Sequence, residues 1–267
     1  MRRPGSRRNE ALRTAADESW KPMPCTDVTA WRRFFDLQAG TIWRDVAAEI
    51  ARVHGTLLDV GCGAQPYRRL VPASASYIAI DTADAQTLFG YHAPDTRYYR
   101  GTRWPIEDES VDAVLATETL EHVLDPPSFL AEAFRCLRSP GRVILTVPFA
   151  ARWHFIPADY WRFTPSGLKH LLEAAGFGTV VIRTRGNDVT VAAYKVMALL
   201  TPLLFPQRKA AWRALMYRCI GLLAVPLFLS CAIIGNLSLA WGSSDDCLGY
   251  TVLATKGEPI EHYSSVE

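Results

Sequence analysis

Short apolar runs and stretches of helical period alternate through the middle of this chain. Phe34, Leu37, Ile42, Val46 and Ile50 recur at mostly helical spacing and predict a helix from Trp31 to Val53. Apolar runs at Thr56–Val60, Tyr77–Ile80 and Val111–Ala116 predict strands, with a weaker one at Thr96–Arg100. A further strand, Arg142–Val147, is opened by Pro140-Gly141, and helices are expected to begin in Tyr67–Val71 and to cover Pro127–Leu137. Thr164 and Pro165 have the chemistry of an N-cap and a first helical position, and that helix runs through Leu168, Leu171 and Leu172 to stop at Gly176. Val180–Arg183 and Leu248–Ala254 complete seven strands. Alternating strand and helix predicts an α/β fold, a parallel sheet with helices on both faces.

Residues 186–247 break the alternation. Between 189 and 244 every charge is positive (Lys195, Arg208, Lys209, Arg213, Arg218), and Cys219 to Ser244 carries none. That run is long enough to span a bilayer, but Pro226, Ser230, Gly235, Asn236 and Ser238 interrupt it; Val196–Pro206 is too short to span. The last strand must return to the sheet, so any crossings are even in number. A spanning hairpin would then place the basic loop 207–218 outside, against the positive-inside tendency. A re-entrant or surface-lying hairpin whose basic loop meets anionic headgroups is the expectation. A soluble helix pair in a lid or a homodimer interface is the alternative. Four segments follow: a basic flexible arm (1–28; Arg2, Arg3, Arg7, Arg8, Arg13), a core (29–185), the apolar helical insertion (186–247), and the last core strand with a tail (248–267).

Composition narrows the field. Apolar residues at 49% exclude general disorder, and a net charge of +2 gives no reason to expect a nucleic-acid partner. Six cysteines show neither C-x-x-C nor a paired Cys/His spacing, so neither a zinc site nor a disulfide framework is expected; they read as reduced cytosolic thiols. No apolar run follows the basic N-terminus, so a secretory signal is not expected either.

The candidate chemistry begins at Leu57-Leu58-Asp59-Val60-Gly61-Cys62-Gly63-Ala64, a buried strand ending in an acid and then a glycine-rich turn into a helix. Ligands of open α/β sheets bind outside the carboxyl ends of strands, and glycines let backbone approach them closely. Pro66 stands where a dinucleotide fingerprint would carry its third glycine. Asp59 suits an amino-acid ammonium better than a pyrophosphate. Asp81, about 20 residues further on at the end of the next strand, suits a ribose diol. An ammonium site beside a ribose site describes S-adenosylmethionine.

With those residues in view, the chain resembles the class I S-adenosylmethionine-dependent methyltransferases, in particular the methyltransferase type 11 group. Leu58–Gly63 resembles their cofactor loop and Ile80-Asp81 their ribose-binding acid. Trp104–Asp112 resembles the segment before strand four, Glu118-Thr119-Leu120-Glu121-His122-Val123 the turn after it, and Ser139-Pro140-Gly141-Arg142 the turn into strand five. The resemblance implies a Rossmann-like sheet of seven strands, the last antiparallel, with the apolar helical insertion before it. It also implies S-adenosyl-L-methionine as cofactor and a cofactor side made of Asp59, Gly61, Cys62, Gly63, Asp81, Thr82, Thr102, Thr117 and Glu118. Arg100-Gly101-Thr102-Arg103 departs from the family, which has an acid near the adenine amino group. Cys62 is expected to be a small loop filler and not a nucleophile, and Glu121-His122 to serve in helix capping and scaffold hydrogen bonding, with a direct part in the chemistry as the alternative.

Trp153–Thr164 combines aromatic faces with polar groups, the composition of a pocket wall. His122, Trp153, Tyr160 and Arg162 are the candidate acceptor-binding residues. His154 is the candidate general base, with Asp159 orienting it or serving instead. An aromatic clamp with an internal Arg162–Asp159 ion pair is the plainer reading of the same residues. The expected function is methyl transfer to a hydroxyl of a lipid-linked or amphipathic acceptor at the cytoplasmic face of a membrane. The alternatives are a soluble O- or N-methyltransferase of a small metabolite and a non-catalytic binding module on the same fold.

Overall fold

The computed structural model describes residues 28–155, 157–205, 211–242 and 244–257. The arm at 1–27, Arg208 and Lys209 in the basic loop, and the tail beyond Gly257 lie outside the described residues, as do the side chains of Arg213 and Arg218.

Seven strands form one sheet in the order β3-β2-β1-β4-β5-β7-β6. Their ranges are β1 Gly55–Val60, β2 Ala75–Thr82, β3 Thr96–Tyr99, β4 Val111–Thr117, β5 Leu137–Pro148, β6 Val180–Arg185 and β7 Gly249–Lys256. The β1–β2, β1–β4, β2–β3 and β4–β5 pairs are parallel. β7 runs antiparallel to β6: Gly178 and Thr255 donate backbone N–H groups to Thr255 and Thr179 at one end, and Leu248 donates to Arg185 at the other. Leu57, Leu58, Val114, Leu115, Ile144 and Leu145 are fully buried, as expected of strands covered on both faces. The chain reverses its strand order between β1 and β4, and ligands of such sheets bind at that switch point.

The helices are α1 Ala30–Phe35, α2 Leu37–Ile50, α3 Ala85–Phe89, α4 Pro126–Cys136, α5 Pro165–Ala174, α6 Asp188–Leu204 and α7 Ala211–Ser238. The single helix expected over Trp31–Val53 is two, because Asp36 leaves helical geometry (φ −113°, ψ 93°) and its Oδ1 accepts the Ala39 N–H at 3.1 Å. The helix expected to begin in Tyr67–Val71 is only a 3₁₀ turn, Arg68–Leu70. Pro72 forces Val71 into extended geometry (ψ 124°) and ends it. The cofactor-loop glycines therefore do not open onto a long helix. β5 begins five residues before the expected Arg142: Leu137 pairs with Val111, and the ladder resumes at Arg142–Ala113 with residues 138–141 out of register. Thr164 caps α5 by accepting the Gly167 N–H.

The described chain divides into two compact units. One comprises Asp45–Arg183 and the residues from Tyr250 onward; the other comprises Val28–Arg44 and Thr184–Gly249. Residues 29–44, expected in the core segment, thus group with residues of the insertion. Asn236 donates to the Phe34 carbonyl at 2.9 Å, the Phe35 and Phe228 rings stack, and the Gly235 backbone lies against Leu37. Within this unit α6 and α7 form a hairpin. The Gly221 backbone comes so close to the Leu203 carbonyl that a Cβ would sit 2.6 Å from its oxygen. A buried polar knot closes the open end: Asn187 caps α6, donates to the carbonyls of Ser238 and Gly242, and Thr190 Oγ1 lies 2.7 Å from Ser238 Oγ. Along α7, by contrast, Leu222, Leu223, Leu227 and Leu237 are more than half exposed.

Candidate active site

Two acids stand at the carboxyl ends of neighbouring parallel strands. Asp59 on β1 is buried; its Oδ2 accepts the Tyr77 hydroxyl at 2.6 Å, while Oδ1 has no hydrogen-bond partner among the described residues. Burial pushes its carboxyl up to about 7, against the pull of the Tyr77 bond. Asp81 on β2 accepts the Gly63 N–H at 3.0 Å and the Thr82 N–H at 2.7 Å. Burial raises its pKa, and those two bonds oppose the rise. The same bonds tie the glycine loop to the β2 end, so Asp81 and the loop form one constellation. Thr82 Oγ1 takes the Asp84 N–H.

The loop turns through left-handed geometry at Gly61 (φ +66°) and Gly63 (φ +52°), where glycine avoids the Cβ penalty. The two differ in what surrounds them. A Cβ on Gly61 would lie 2.3 Å from Thr119 Cγ2, so the close approach there is to the turn after β4. A Cβ on Gly63 would meet only the Tyr91 ring, at 3.7 Å. Cys62 is buried with its Sγ 3.6 Å from Thr96 Oγ1, and burial drives its thiol upward, opposite to what a nucleophile needs. Thr117 ends β4 and its carbonyl accepts the Thr119 hydroxyl. Glu118 holds an uncommon φ of +48° for a non-glycine residue, fixed by its N–H bonding to Thr146. Thr102 is exposed in the bend at 101–103.

The segment after β5 is fastened to the turn after β4. Tyr160 and Trp161 donate their N–H groups to the Glu121 carbonyl, and Trp161 Nε1 bonds the Val123 carbonyl at 2.8 Å. Asp159 accepts both Arg162 guanidinium nitrogens, at 2.6 and 2.8 Å, and the His154 N–H at 3.0 Å. Burial alone would raise the Asp159 pKa, but these donors outweigh it and hold the carboxylate below its usual range. Asp159 is therefore locked as an anion. It lies 3.1 Å from His154 Nδ1, in position to orient that ring. Trp153, Asp159, Tyr160, Trp161, Arg162 and Ala151 line an open cleft of about 240 Å³.

His122 is held in the scaffold between the turn after β4 and the segment after β5. Its Nδ1 pairs with the Ala158 carbonyl, and its ring meets Phe89, His154 and Phe155 at centroid distances of 5.0 to 5.6 Å. Burial drops its pKa to about 4, so it is neutral at physiological pH. Beside it, Glu121 is fully buried, and neither carboxylate oxygen has a hydrogen-bond partner among the described residues. Burial and the charge of Glu118 raise its pKa. Tyr77, Tyr91, Thr119 and Phe155 were not among the expected site residues. Each acts across more than ten residues of sequence, and no local pattern marks such contacts.

A family model described as a methyltransferase domain matches residues 35–181, more than half of the chain. The chain belongs to the class I S-adenosylmethionine-dependent methyltransferases. A Mycolicibacterium smegmatis protein described as a probable S-adenosylmethionine-dependent methyltransferase is 30% identical over 133 residues, which is 45% of this chain and 51% of that protein. A ubiquinone biosynthesis O-methyltransferase of Dinoroseobacter shibae is 30% identical over 176 residues, 52% of this chain and 69% of that protein. The chain spans between a third and about half of the length of two of the curated relatives it matches. Among solved structures the [4+2]-cyclase SpnF superposes with a TM-score of 0.52 at 20% identity, covering 94% of this chain and 93% of that one. At that identity the likeness shows the fold of this methyltransferase-family chain and nothing of its substrate.

Proposed function

We propose that this chain transfers a methyl group from S-adenosylmethionine to a hydroxyl of a lipid-linked or amphipathic acceptor at the cytoplasmic face of a membrane. The methyl-transfer part rests on the Asp59–Asp81 pair. Asp59 Oδ1, buried and without a hydrogen-bond partner among the described residues, fits the cofactor's ammonium, and Asp81 fits its ribose hydroxyls, with Gly61, Cys62, Gly63, Thr82, Thr117 and Glu118 as the adjoining wall. Thr102, exposed beyond β3, is the adenine-side candidate. The bound cofactor supplies a methyl already activated on a sulfonium. The protein's work is then to align the acceptor and exclude water. Trp153, Tyr160 and Arg162, which line the cleft, present the acceptor, and His122 is the fourth candidate contact. His154, oriented through Nδ1 by anionic Asp159, takes the hydroxyl proton on Nε2. The D. shibae relative is named as an O-methyltransferase, which favours oxygen as the accepting atom.

The membrane part rests on the outward apolar face of α7. Cys219–Ser238 is long and apolar enough to cross a bilayer, and only 22% of it is buried. The Leu248 N–H to Arg185 carbonyl bond, 2.9 Å, brings the hairpin's two ends together, so it leaves and re-enters the fold at one place. A single spanning helix does not meet that condition, whereas a hairpin lying in the interface does. Incubation of extract with labelled S-adenosylmethionine, followed by separation into lipid and aqueous phases, tests the whole reading. Label in the lipid phase is expected. Label confined to a small aqueous product would establish the soluble alternative, with the α7 face in a lid or homodimer.

A further inference from the structure

We infer that Glu121, His122 and His154 form a binding site for a single divalent transition-metal cation such as Zn²⁺. One ligand atom from each of the three lies within 4.8 Å of the others, and Glu121 Oε1 is 3.7 Å from His122 Nε2. Ligands about 2.0–2.1 Å from a tetrahedral zinc stand roughly 3.3 Å apart, so closure needs side-chain shifts of about 1.5 Å at most.

Two independent observations separate this cluster from an accidental one. The first is Glu121. It is fully buried and aimed at the imidazoles, yet neither oxygen has a hydrogen-bond partner among the described residues. A buried carboxyl group without a hydrogen-bond partner is costly, and a cation between it and the two imidazoles removes that cost. The second is the outer contacts of the histidines. His122 Nδ1 is engaged by the Ala158 carbonyl, and His154 Nδ1 lies 2.9 Å from the Arg152 carbonyl and 3.1 Å from Asp159 Oδ2. Metal-bound histidines typically commit their second nitrogen to a carbonyl or carboxylate in this way, which fixes the ring and leaves Nε2 for the metal. Phe89 and Phe155 pack on the rings and make an apolar surround.

Two imidazoles and one carboxylate suit zinc and other first-row transition metals better than magnesium, which prefers oxygen ligands in octahedral geometry. Three protein ligands also leave a coordination position open. When the cation is bound, His154 Nε2 is a ligand and not a base. A bound cation therefore blocks the base proposed above, and proton acceptance at His154 Nε2 belongs to the metal-free protein. The cysteine spacing that argued against zinc in the sequence does not bear on this site, because no cysteine takes part.

Calorimetric titration of the full chain with ZnCl₂, followed by dialysis and elemental analysis, tests the proposal. One retained equivalent is expected, with MgCl₂ giving no comparable uptake. Glu121→Gln keeps the volume of the buried side chain, and His154→Ala changes a residue on a surface segment. Each is expected to weaken zinc binding more than about a hundredfold, while S-adenosylmethionine affinity, which rests on Asp59 and Asp81, stays within about twofold in the folded variants. Equal zinc uptake by the variants would place the metal elsewhere and overturn the assignment, as would a wild-type protein that retains none. Loss of cofactor binding in the wild type would instead count against the methyl-transfer reading and leave the zinc result standing.

Discussion

Replacing Gly61 by alanine probes the tightest point of the cofactor loop. Two costs are built into the structure. An alanine at φ +66° pays the left-handed penalty of about 1–2 kcal/mol. Its Cβ would also sit 2.3 Å from Thr119 Cγ2 and 2.7 Å from Thr119 Oγ1, an overlap that must push the turn after β4 away at about 1–3 kcal/mol. The sum, about 2–5 kcal/mol, is a large part of a typical domain's stability. The two parts are separable. Thr119→Ala removes both clashing atoms and leaves only Thr119 Cβ, 3.1 Å from the new methyl. The double variant should therefore recover about 1–3 kcal/mol of the single variant's loss and keep the backbone penalty, a coupling well above the scatter of independent sites. Thr119→Ala alone loses its hydroxyl bonds to the Val60 and Thr117 carbonyls, so the full cycle is required. Urea denaturation supplies the four stabilities. Gly61→Ala melting with the wild type, or a double variant no better than the single one, would refute the assignment of the close approach to Thr119. Recovered stability with cofactor affinity still lost would show that the loop's own geometry serves the ligand as well.

Asp81→Ala should weaken S-adenosylmethionine binding by about 1.5–3 kcal/mol, roughly ten- to a hundredfold, because it removes a charged acceptor; calorimetry on the folded variant checks it. His154→Ala should lower turnover by about 10²–10⁴ with little change in cofactor affinity, and Asp159→Asn should lower it less, since Asp159 acts through His154; steady-state rates at saturating cofactor decide both. The Asp59 carboxyl, raised to about 7, gives stability that is full below its ordinary carboxylate pKa and is lost as pH rises through 7. His122, lowered to about 4, gives stability present above the ordinary histidine range and lost as pH falls toward 4. The two slopes oppose between about pH 4 and 6.5. Asp59→Asn should thus raise stability at pH 8 relative to pH 5, and denaturation midpoints across that range would contradict the reading if wild type and variant ran parallel.

The parts of this molecule legible in its sequence are those encoded over short distances. Strand alternation, the Thr164-Pro165 helix start and the Asp59, Gly61, Gly63 and Asp81 positions all depend on neighbours within a few residues or on one strand-to-strand step. What sequence alone misplaced depends on contacts between distant segments. Gly61 is held to glycine by its positive φ and by Thr119, a residue distant in sequence. Asp59 draws its partner Tyr77 from the adjacent strand in a register no local signal marks. Glu121 sits at a turn and is fully buried, and the residues that bond its carbonyl, Tyr160 and Trp161, come from a later segment of the chain. The break at Asp36 was local but read as helix, since the apolar spacing continues on both sides of it.

The outward face of α7 gives the last prediction. Leu222 and Leu223 are 71% and 83% exposed, so polar replacements there should cost the fold less than about 0.5 kcal/mol. If that face is buried in a bilayer interface, each leucine contributes about 1.5–3 kcal/mol to membrane binding. Leu222→Gln combined with Leu223→Gln should then reduce partitioning onto anionic vesicles by more than tenfold, with thermal stability and S-adenosylmethionine affinity unchanged. Arg208, Lys209 and Arg213 bring a second, electrostatic contribution of about 1 kcal/mol each near an anionic surface. Reversing the three to glutamate should release much of the bound protein, and added salt should imitate this only in part, because screening leaves the apolar contribution in place. Vesicle sedimentation at low and high salt separates the two contributions. A wild-type protein that stays in the supernatant at low salt and runs as a detergent-free dimer would remove the membrane from the reading. The leucine pair would then be expected to weaken the dimer instead, because the same exposed face would lie in its interface.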